Sequence, residues 1–149
     1  MPKLAIPLTR GLAFADVAVG LRESLANSLH FSGQPVPAPH PAVGLFDPGC
    51  EMTCIDPKVR RALALTATNT VAISLPYQGP QGGEAEVFNV SLTVPNPAAP
   101  DVPFYLPWLR VAEAPIGHLG SDVLIGVDAL AECKGHYDWR NGTFTLDYP

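Results

Sequence analysis

The sequence predicts an all-β fold, a closed, barrel-like sheet with one or two short helices. The 17 prolines and 13 glycines of this 149-residue chain are spread between apolar runs, a pattern typical of short strands joined by turns. Several of those runs alternate apolar and other residues, as half-buried strands do. Apolar residues make up 47% and charged residues 15%, which favours a compact core over disorder. We therefore expect one domain spanning 1–149.

The first third of the chain is predicted to contain two strands, a helix and a loop. Residues 4–8 alternate, and an apolar run at 14–19 lies between two glycines. Leucines that recur every four residues predict a brief helix at 22–29. Four prolines and a glycine predict a surface loop at 32–41. The helix and this loop together occupy residues 21–41.

The rest of the chain is predicted to be mostly short strands. Asp56 suits a helix N-cap and Pro57 the first helical position, so one capped turn of helix is expected there. Pro107 indicates an edge or a bulge in the strand that contains it. A continuous apolar run from Val123 is expected to break at Gly126 and enter a short helix. The predicted strands lie at 42–46, 70–76, 85–94, 104–112 and 142–148.

One acidic residue, Asp47, follows the apolar strand at 42–46 and begins the turn sequence Asp47-Pro48-Gly49. A carboxylate at the end of a buried strand is costly unless it is paired, neutralised or used in chemistry. By itself the turn sequence is ordinary, because proline fixes φ and glycine permits positive φ. Asp47 is therefore the first candidate for a functional residue.

The stretch around Asp47 resembles the active-site turn of retroviral-type (retropepsin-like) aspartic proteases. That turn reads hydrophobic-hydrophobic-Asp-Thr-Gly-Ala-x-x-Ser/Thr-x-Ile, and Asp47, Gly49, Thr53 and Ile55 stand at matching positions. Pro48 stands where the family has threonine. The resemblance implies the acid-protease fold, in which one chain forms one closed β-barrel half of the enzyme, with Asp47 as its catalytic residue.

A second segment is similar to the other signature of the family, an apolar strand that reaches a glycine and leads into a helix. Bacterial relatives often read Ile-Gly-x-Asp-x-Leu, and Ile125, Gly126, Asp128 and Leu130 match that form. Gly126 lies 79 residues after Asp47, within the range that the fold needs for its intervening strands. The resemblance gives Gly126 and Asp128 a structural role in supporting the site.

A glycine-rich segment at 77–84 falls where the family places its mobile flap. It is equally well interpreted as a plain hairpin tip, with a tyrosine that covers the core. The closing stretch 142–146 also resembles bacterial members, so the likeness covers about residues 11–20 and 42–148. It excludes residues 21–41, an insertion that is longer than the viral members have. The candidate flap or substrate-binding residues are Tyr77, Gly79, Gly82 and Gly83.

The resemblance implies a homodimer, because each chain supplies one aspartate and the chemistry needs two. Paired carboxylates share one proton and hold a water between them. The ionised carboxylate takes the water's proton, while the neutral one hydrogen-bonds the scissile carbonyl. A two-fold axis would bring Asp47 and its mate together. The expected function is that of an aspartic endopeptidase acting on a peptide or protein substrate without a cofactor.

Pro48 supports a functional hypothesis other than that of an active peptidase. In the family, the threonine at this position bonds across the dimer axis through its hydroxyl and its backbone N–H. Proline has neither donor, so the dimer should be weaker or the two aspartates less rigidly held. A catalytically weak or inactive binding or scaffold domain on the same fold is the second hypothesis. An unrelated β-barrel that carries these patterns by chance is the third.

Charge and cysteine content argue against several other kinds of partner and site. The formal net charge is −5 with no basic cluster, so neither nucleic acid nor a membrane is an expected partner. No apolar run approaches the ~18 residues of a membrane-spanning helix, and the amino terminus lacks the apolar block of a secretory signal. We therefore expect a cytoplasmic protein. Three cysteines and four scattered histidines complete no tetrahedral site, so no metal is expected.

Overall fold

The computed structural model describes residues 1–73 and 83–149. Within them the chain forms ten strands and two α-helices, together with a 3-10 turn at Gly117–Leu119. The helices are α1 (Glu23–Phe31) and α2 (Pro57–Leu63). The strands are β1 (Lys3–Pro7), β2 (Ala13–Leu21), β3 (His40–Phe46), β4 (Cys54–Ile55), β5 (Asn69–Ile73), β6 (Gly83–Val94), β7 (Phe104–Glu113), β8 (Val123–Ile125), β9 (Lys134–Asp138) and β10 (Thr143–Asp147).

Six of these strands close into a barrel, which confirms the predicted all-β fold class. Their order is β2-β3-β8-β4-β7-β6, and β2 pairs with β6 to complete the circle. Strand β5 extends the sheet from β6 without joining the circle. The barrel encloses apolar side chains that are almost without solvent contact, among them Val19, Ile55, Val59, Phe88, Val111 and Ile125.

The strand order brings two chain segments out of the barrel side by side. Strands β3 and β8 are parallel neighbours, with Phe46 in register with Ile125. The carboxyl ends of parallel neighbours lie at the same edge of a sheet. The residues that follow them, Asp47 and Gly126, therefore leave the barrel next to each other.

Strand β7 contains the irregularity predicted from its proline. Val90 of β6 faces Leu109, while Leu92 faces Leu106, so one residue of β6, Ser91, lies opposite two of β7, Pro107 and Trp108. An extra residue on one strand is a β-bulge. It falls at Pro107, whose missing N–H could not complete the ladder.

A second, three-stranded sheet has the order β1-β10-β9. The inner face of this sheet joins the barrel core through Ile6, Phe144 and Leu146, each of which is buried. Strands β9 and β10 form a hairpin whose loop ends in Asn141-Gly142, with Gly142 at φ 68°. The closing strand at 142–148 is confirmed by β10, whereas β9 was not expected.

The two α-helices agree with expectation, but a third does not form. Asp56 caps α2 by accepting a hydrogen bond from the Lys58 N–H at 3.1 Å, with Pro57 at the first helical position. The insertion contains α1, none of whose residues is buried. In the part of the chain that the structure describes, no helix has the length and apolar character needed to span a membrane.

The short helix predicted after Gly126 is wrong, because the chain there makes successive turns. The Ala129 N–H donates to the Gly126 carbonyl at 3.2 Å, and the Leu130 N–H donates to the Val127 carbonyl at 3.1 Å. The side chain of Asp128 accepts from the N–H of Ala129 at 2.9 Å. Such local side-chain bonds compete with helix formation, which explains the outcome.

Candidate active site at the end of strand β3

Asp47 is fixed by the barrel at the point where β3 ends. Its backbone N–H donates to the Ile125 carbonyl at 2.9 Å, which extends the parallel ladder by one bond. The preceding Phe46 is buried, and the side chain of Asp47 is half-buried. The carboxylate therefore starts from a rigid backbone position and reaches towards the surface.

The residues after Asp47 form a tight turn. The Cys50 N–H donates to the Asp47 carbonyl at 3.0 Å, with Pro48 and Gly49 at the centre of the turn. The Gly49 N–H donates to Oδ1 of Asp47 at 3.0 Å. Gly49 does not adopt positive φ, so this is a type I turn and the freedom expected of the glycine is not used. What matters at this position is its N–H, which orients the carboxylate.

A cleft of about 360 Å³ opens beside the carboxylate. Tyr137 and Trp139 form one wall, and their rings stack at 5.2 Å with an interplanar angle of 13°. The Tyr137 hydroxyl donates to the Phe46 carbonyl at 3.1 Å, and the Trp139 indole N–H donates to the Gly11 carbonyl at 3.2 Å. Because 67% of Trp139 is exposed, the wall presents an aromatic surface to anything that enters the cleft.

Tyr137 also responds to the charge of Asp47. Burial, and then the negative charge of Asp47, raise the pKa of the Tyr137 phenol above its usual range. The phenol therefore stays protonated and keeps its bond to the strand that carries Asp47. Sequence reasoning missed both aromatic residues, because it did not recognise β9. The dipeptide Asn141-Gly142 is a hairpin signal that would have revealed this strand.

Thr53 and Asp128 form a second polar cluster directly behind the turn. Oδ1 of Asp128 accepts from the Thr53 hydroxyl at 2.7 Å and from the Thr53 N–H at 3.0 Å. The Thr53 hydroxyl oxygen in turn accepts from the Gly126 N–H at 3.1 Å. Thr53 is completely buried, and these bonds pair polar groups whose burial without a hydrogen-bond partner would cost folding free energy.

Gly126 is required by the close approach of two chain segments. A Cβ at this position would lie 2.5 Å from the Cys50 carbonyl oxygen and 3.2 Å from the Met52 carbonyl carbon. The same Cys50 oxygen accepts from the Val127 N–H at 2.9 Å. The segment after β8 thus packs backbone to backbone against the segment after Asp47.

Two cysteines lie within this cluster as free thiols. Sγ of Cys50 and Sγ of Cys54 lie 2.9 Å and 3.3 Å from the carbonyl oxygen of Met52. The hydrogen bond from Cys54 lowers the pKa of Cys50, and the same contact together with burial raises the pKa of Cys54. Cys54 fits the expectation of a small buried thiol, whereas Cys50 is half-buried.

The sequence-predicted residues fall into three groups in space. Asp47, Pro48 and Gly49 line or border the cleft, while Thr53, Gly126 and Asp128 lie behind the turn. Gly83 begins β6, opposite Ile73. The other candidate flap residues, Tyr77, Gly79 and Gly82, lie outside the described residues. Within 1–73 and 83–149, no three His, Cys, Asp or Glu side chains are grouped so that they could hold a metal ion.

Comparison with known proteins identifies the architecture. Neither a family model nor a curated protein matches the sequence. A solved retropepsin-like aspartic protease from Rickettsia conorii is similar in structure, with a TM-score of 0.59. The match covers 99% of this chain and 91% of that chain, at 14% sequence identity. The fold is retropepsin-like. At this identity the likeness establishes the retropepsin-like fold alone, so an argument about activity must rest on the chemistry of the site.

Proposed function

We propose that this chain is an aspartic endopeptidase that works as a homodimer, with Asp47 of each subunit forming the catalytic pair. The main support for the proposal is that the Asp47 carboxylate is firmly positioned but makes few hydrogen bonds. Its backbone is held rigidly between β3 and β8, while among the described residues its carboxylate accepts a single hydrogen bond, from Gly49. Acid–base chemistry requires a carboxylate that is held in place but is not already occupied by structural hydrogen bonds.

The proposed reaction needs two such carboxylates close together. Two carboxylates about 3 Å apart cannot both be ionised, so the pair holds one proton between them. The ionised member takes a proton from the bound water, which attacks the scissile carbonyl. The neutral member hydrogen-bonds the carbonyl oxygen as it becomes tetrahedral. The proton then passes to the leaving amine as the C–N bond breaks.

The cleft offers a place for a substrate side chain next to the reacting atoms. Its aromatic wall, Tyr137 and Trp139, would contact an apolar or aromatic side chain of a bound peptide. The lack of a basic cluster disfavours a strongly acidic peptide as the ligand. We therefore propose peptides with apolar residues near the cleavage site as substrates.

The test is cleavage of a peptide library at about pH 4–6, where a carboxylate pair can share one proton. We expect products that disappear in Asp47→Asn and in the presence of a statine-containing peptide. Asp101→Asn, which alters an exposed acidic residue, is the control and should cleave normally. Cleavage that persists in Asp47→Asn would refute the assignment of Asp47 as the catalytic residue.

A catalytically weak or inactive binding or scaffold domain is the second candidate, and Pro48 favours it. Proline offers neither a hydroxyl nor an N–H to a facing turn, so the two active-site turns of a dimer would be joined by fewer bonds. Each missing hydrogen bond is worth about 0.5–1.5 kcal/mol, and two-fold symmetry doubles the loss. Errors of about 1 Å in placing the carboxylates cost roughly 10²-fold in rate.

Pro48→Thr separates the two candidates. If the chain is a slow peptidase, restoring the hydroxyl and the N–H should tighten the dimer and raise kcat/KM. If Pro48→Thr changes neither quantity, Pro48 does not weaken the dimer or displace the two carboxylates. If the wild type binds peptides in the cleft without cleaving them, and Asp47→Asn binds equally well, the chain is a binding domain.

A further inference from the structure

Cys50 and Cys54 form a pair of thiols in the segment that follows Asp47. Their sulfurs donate to the same acceptor, the Met52 carbonyl oxygen, at 2.9 Å from Cys50 and 3.3 Å from Cys54. The two thiols are also in hydrogen-bond contact with each other. A carbonyl oxygen has two lone pairs and can accept both bonds. The turn therefore keeps two reduced sulfurs next to each other.

The two thiols differ in exposure and in acidity. Cys50 is half-buried, whereas only 4% of Cys54 is exposed. The hydrogen bond from Cys54 lowers the pKa of Cys50, and the same contact together with burial raises the pKa of Cys54. Burial and the negative charges of Asp47 and Asp128 raise the pKa of Cys50 but do not outweigh that bond. Because the thiolate is the nucleophile, Cys50 is the thiol that an oxidant reaches and reacts with first.

Cys133 provides a comparison within the same chain. It is half-buried like Cys50, but it lines a different cleft, beside Phe104 and Glu132. Burial and the charge of Glu132 raise the pKa of the Cys133 thiol. Cys133 therefore has a similar burial class and a less acidic thiol, and we expect it to react with oxidants more slowly than Cys50.

We propose that Cys50 and Cys54 are a redox-active pair that a hydroperoxide oxidises to an intramolecular disulfide. The Cys50 thiolate attacks one peroxide oxygen, the O–O bond breaks, and the other oxygen takes up a proton and leaves as water or an alcohol. Cys50 is then a sulfenic acid. Cys54 attacks the Cys50 sulfur, the S–O bond breaks, and the departing hydroxide takes the Cys54 proton and becomes water. The two sulfurs lose the two electrons that the peroxide gains. A small-molecule dithiol reverses the reaction by exchange and is itself oxidised to a disulfide.

Formation of the disulfide would displace Cys50 rather than Cys54. Cys54 lies in β4, where it faces Ala112 on one side and Leu124 on the other, so the barrel fixes its backbone. Two thiols in hydrogen-bond contact must approach to about 2 Å to form an S–S bond. Cys50 therefore has to move towards Cys54, and the Met52 carbonyl loses both thiol donors.

The backbone of Cys50 connects the Asp47 turn to the segment after β8. Its N–H donates to the Asp47 carbonyl at 3.0 Å, and its carbonyl accepts from the Val127 N–H at 2.9 Å. A shift of Cys50 therefore alters the turn that orients the Asp47 carboxylate and weakens the contact with Val127. Oxidation then lowers peptidase activity reversibly. This last consequence, unlike the disulfide itself, rests on the function proposed above.

The test is mass spectrometry of the full chain after treatment with hydrogen peroxide, alkylation of the remaining thiols and digestion with trypsin. Cys50 and Cys54 fall in one tryptic peptide, 23–58, and Cys133 falls in another, 111–134. We expect the first peptide to lose two hydrogens at least about tenfold faster than Cys133 is oxidised. Treatment with dithiothreitol before alkylation should restore both thiols.

Single variants test each step, and circular dichroism confirms that each remains folded. Cys54→Ala should stop at the sulfenic acid of Cys50, which dimedone traps. Cys50→Ala should leave Cys54 reduced, because burial protects the second thiol. Cys133→Ser is the matched control and should form the disulfide like the wild type. Oxidation of Met52 is distinguished by its added oxygen, which dithiothreitol does not remove.

Three results would refute the redox pair. The first is a wild type in which Cys50 and Cys54 both remain open to alkylation after peroxide treatment. The second is oxidation of this pair no faster than that of Cys133. The third is a disulfide that links two chains instead of closing within one.

The outcome for the thiol pair can be separated from the outcome for the peptidase. Hydrogen exchange at the Val127 N–H should become faster on oxidation, whether or not the chain cleaves peptides. If the reduced chain cleaves peptides, the oxidised chain should be at least about tenfold slower, and dithiothreitol should restore the rate. A disulfide in a chain that never cleaves peptides would retain the redox pair and refute the proposed function. Cleavage that complete oxidation leaves unchanged would retain the function and refute its control by the disulfide.

Discussion

Asp47 and Asp128 follow two neighbouring parallel strands, yet the fold uses them in opposite ways. Asp47 comes directly after β3, and its carboxylate accepts one bond from its own turn. Asp128 lies three residues past β8, and its carboxylate binds both the N–H and the hydroxyl of Thr53 as well as the N–H of Ala129. The Asp47 carboxylate thus has one donor, whereas the Asp128 carboxylate has three.

The number of donors, rather than exposure, distinguishes the two acids. Asp128 is the more exposed of the pair, although it is the one committed to the structure. Its bonds join the segment after β8 to Thr53, and thereby fix the chain on which the Asp47 turn rests. We therefore expect substitutions at Asp128 to reduce stability and substitutions at Asp47 to reduce activity.

The largest stability effect should follow the removal of the Asp128 carboxylate. Asp128→Ala leaves the N–H and hydroxyl of buried Thr53 without their acceptor, which should lower the free energy of unfolding by about 2–4 kcal/mol. Asp47→Ala loses one bond to an exposed turn and should cost less than about 1 kcal/mol. Urea unfolding measures both. Equal costs for the two variants would contradict the comparison.

Gly126→Ala should have the next largest effect. Its Cβ would lie 2.5 Å from the Cys50 carbonyl oxygen, a backbone atom that cannot move aside cheaply. We expect a loss of about 1–3 kcal/mol in thermal or urea unfolding. In Gly49→Ala the new Cβ would lie 3.2 Å from Oδ1 of Asp47, a side chain that can rotate. A larger loss in Gly49→Ala than in Gly126→Ala would show that the backbone segments at Gly126 do not pack as closely as described here.

Asp122 lies just before β8, and its ionised carboxylate should make the stability of the protein depend on pH. Burial raises the pKa of its carboxyl, but the hydrogen bonds from Lys58 and the Val43 N–H outweigh burial and lower it overall. A lowered folded pKa stabilises the protein above the unfolded pKa of about 3.9, and this stabilisation is lost as pH falls through the folded value. Asp122→Asn should therefore cost about 1 kcal/mol at about pH 7.

That cost should shrink as urea unfolding is repeated at lower pH, and it should vanish once the wild-type carboxyl is protonated. Asp101→Asn, which changes an exposed acidic residue, should show no such trend. A cost for Asp122→Asn that stays constant down to about pH 2 would exclude the proposed ionic contribution.

Tyr137→Phe should have the smallest effect. It removes the hydrogen bond to the Phe46 carbonyl but keeps the ring against Phe144 and Trp139. We expect a loss of about 0.5 kcal/mol in unfolding free energy, with the aromatic wall of the cleft unchanged. Thermal unfolding measures the loss, and peptide binding by the variant reports on the wall. An unaltered stability would mean that the hydroxyl does not support the strand before Asp47.

The local parts of the fold were predictable from the sequence. Alternation located β1 and β10, Asp56-Pro57 located the start of α2, and Pro107 indicated the edge or bulge that β7 has as a bulge. Each of these features depends on the residues within a few positions. The closure of the barrel through β2 and β6 depends instead on pairing between distant segments, which one sequence does not specify.

The candidate site was singled out from the sequence at Asp47, but its surroundings were not. The resemblance to retropepsin-like proteases pointed to the turn that contains Thr53 and to Gly126 and Asp128 as its support, but it gave no reason to consider Tyr137 or Trp139. Those two residues reach the cleft only because β9 folds back beside β10. The helix expected after Gly126 did not form, because the Asp128 side chain bonds to the Ala129 N–H, and its other bonds go to Thr53, a residue far away in sequence.

The decisive experiment is a crystal structure of the chain with a bound statine peptide. The quantity to measure is the distance between the two Asp47 carboxylates across the dimer axis. We predict a separation of about 3 Å, with the inhibitor hydroxyl between them. Carboxylates that point away from each other, or that stand too far apart to share one water, would contradict the proposed catalytic pair.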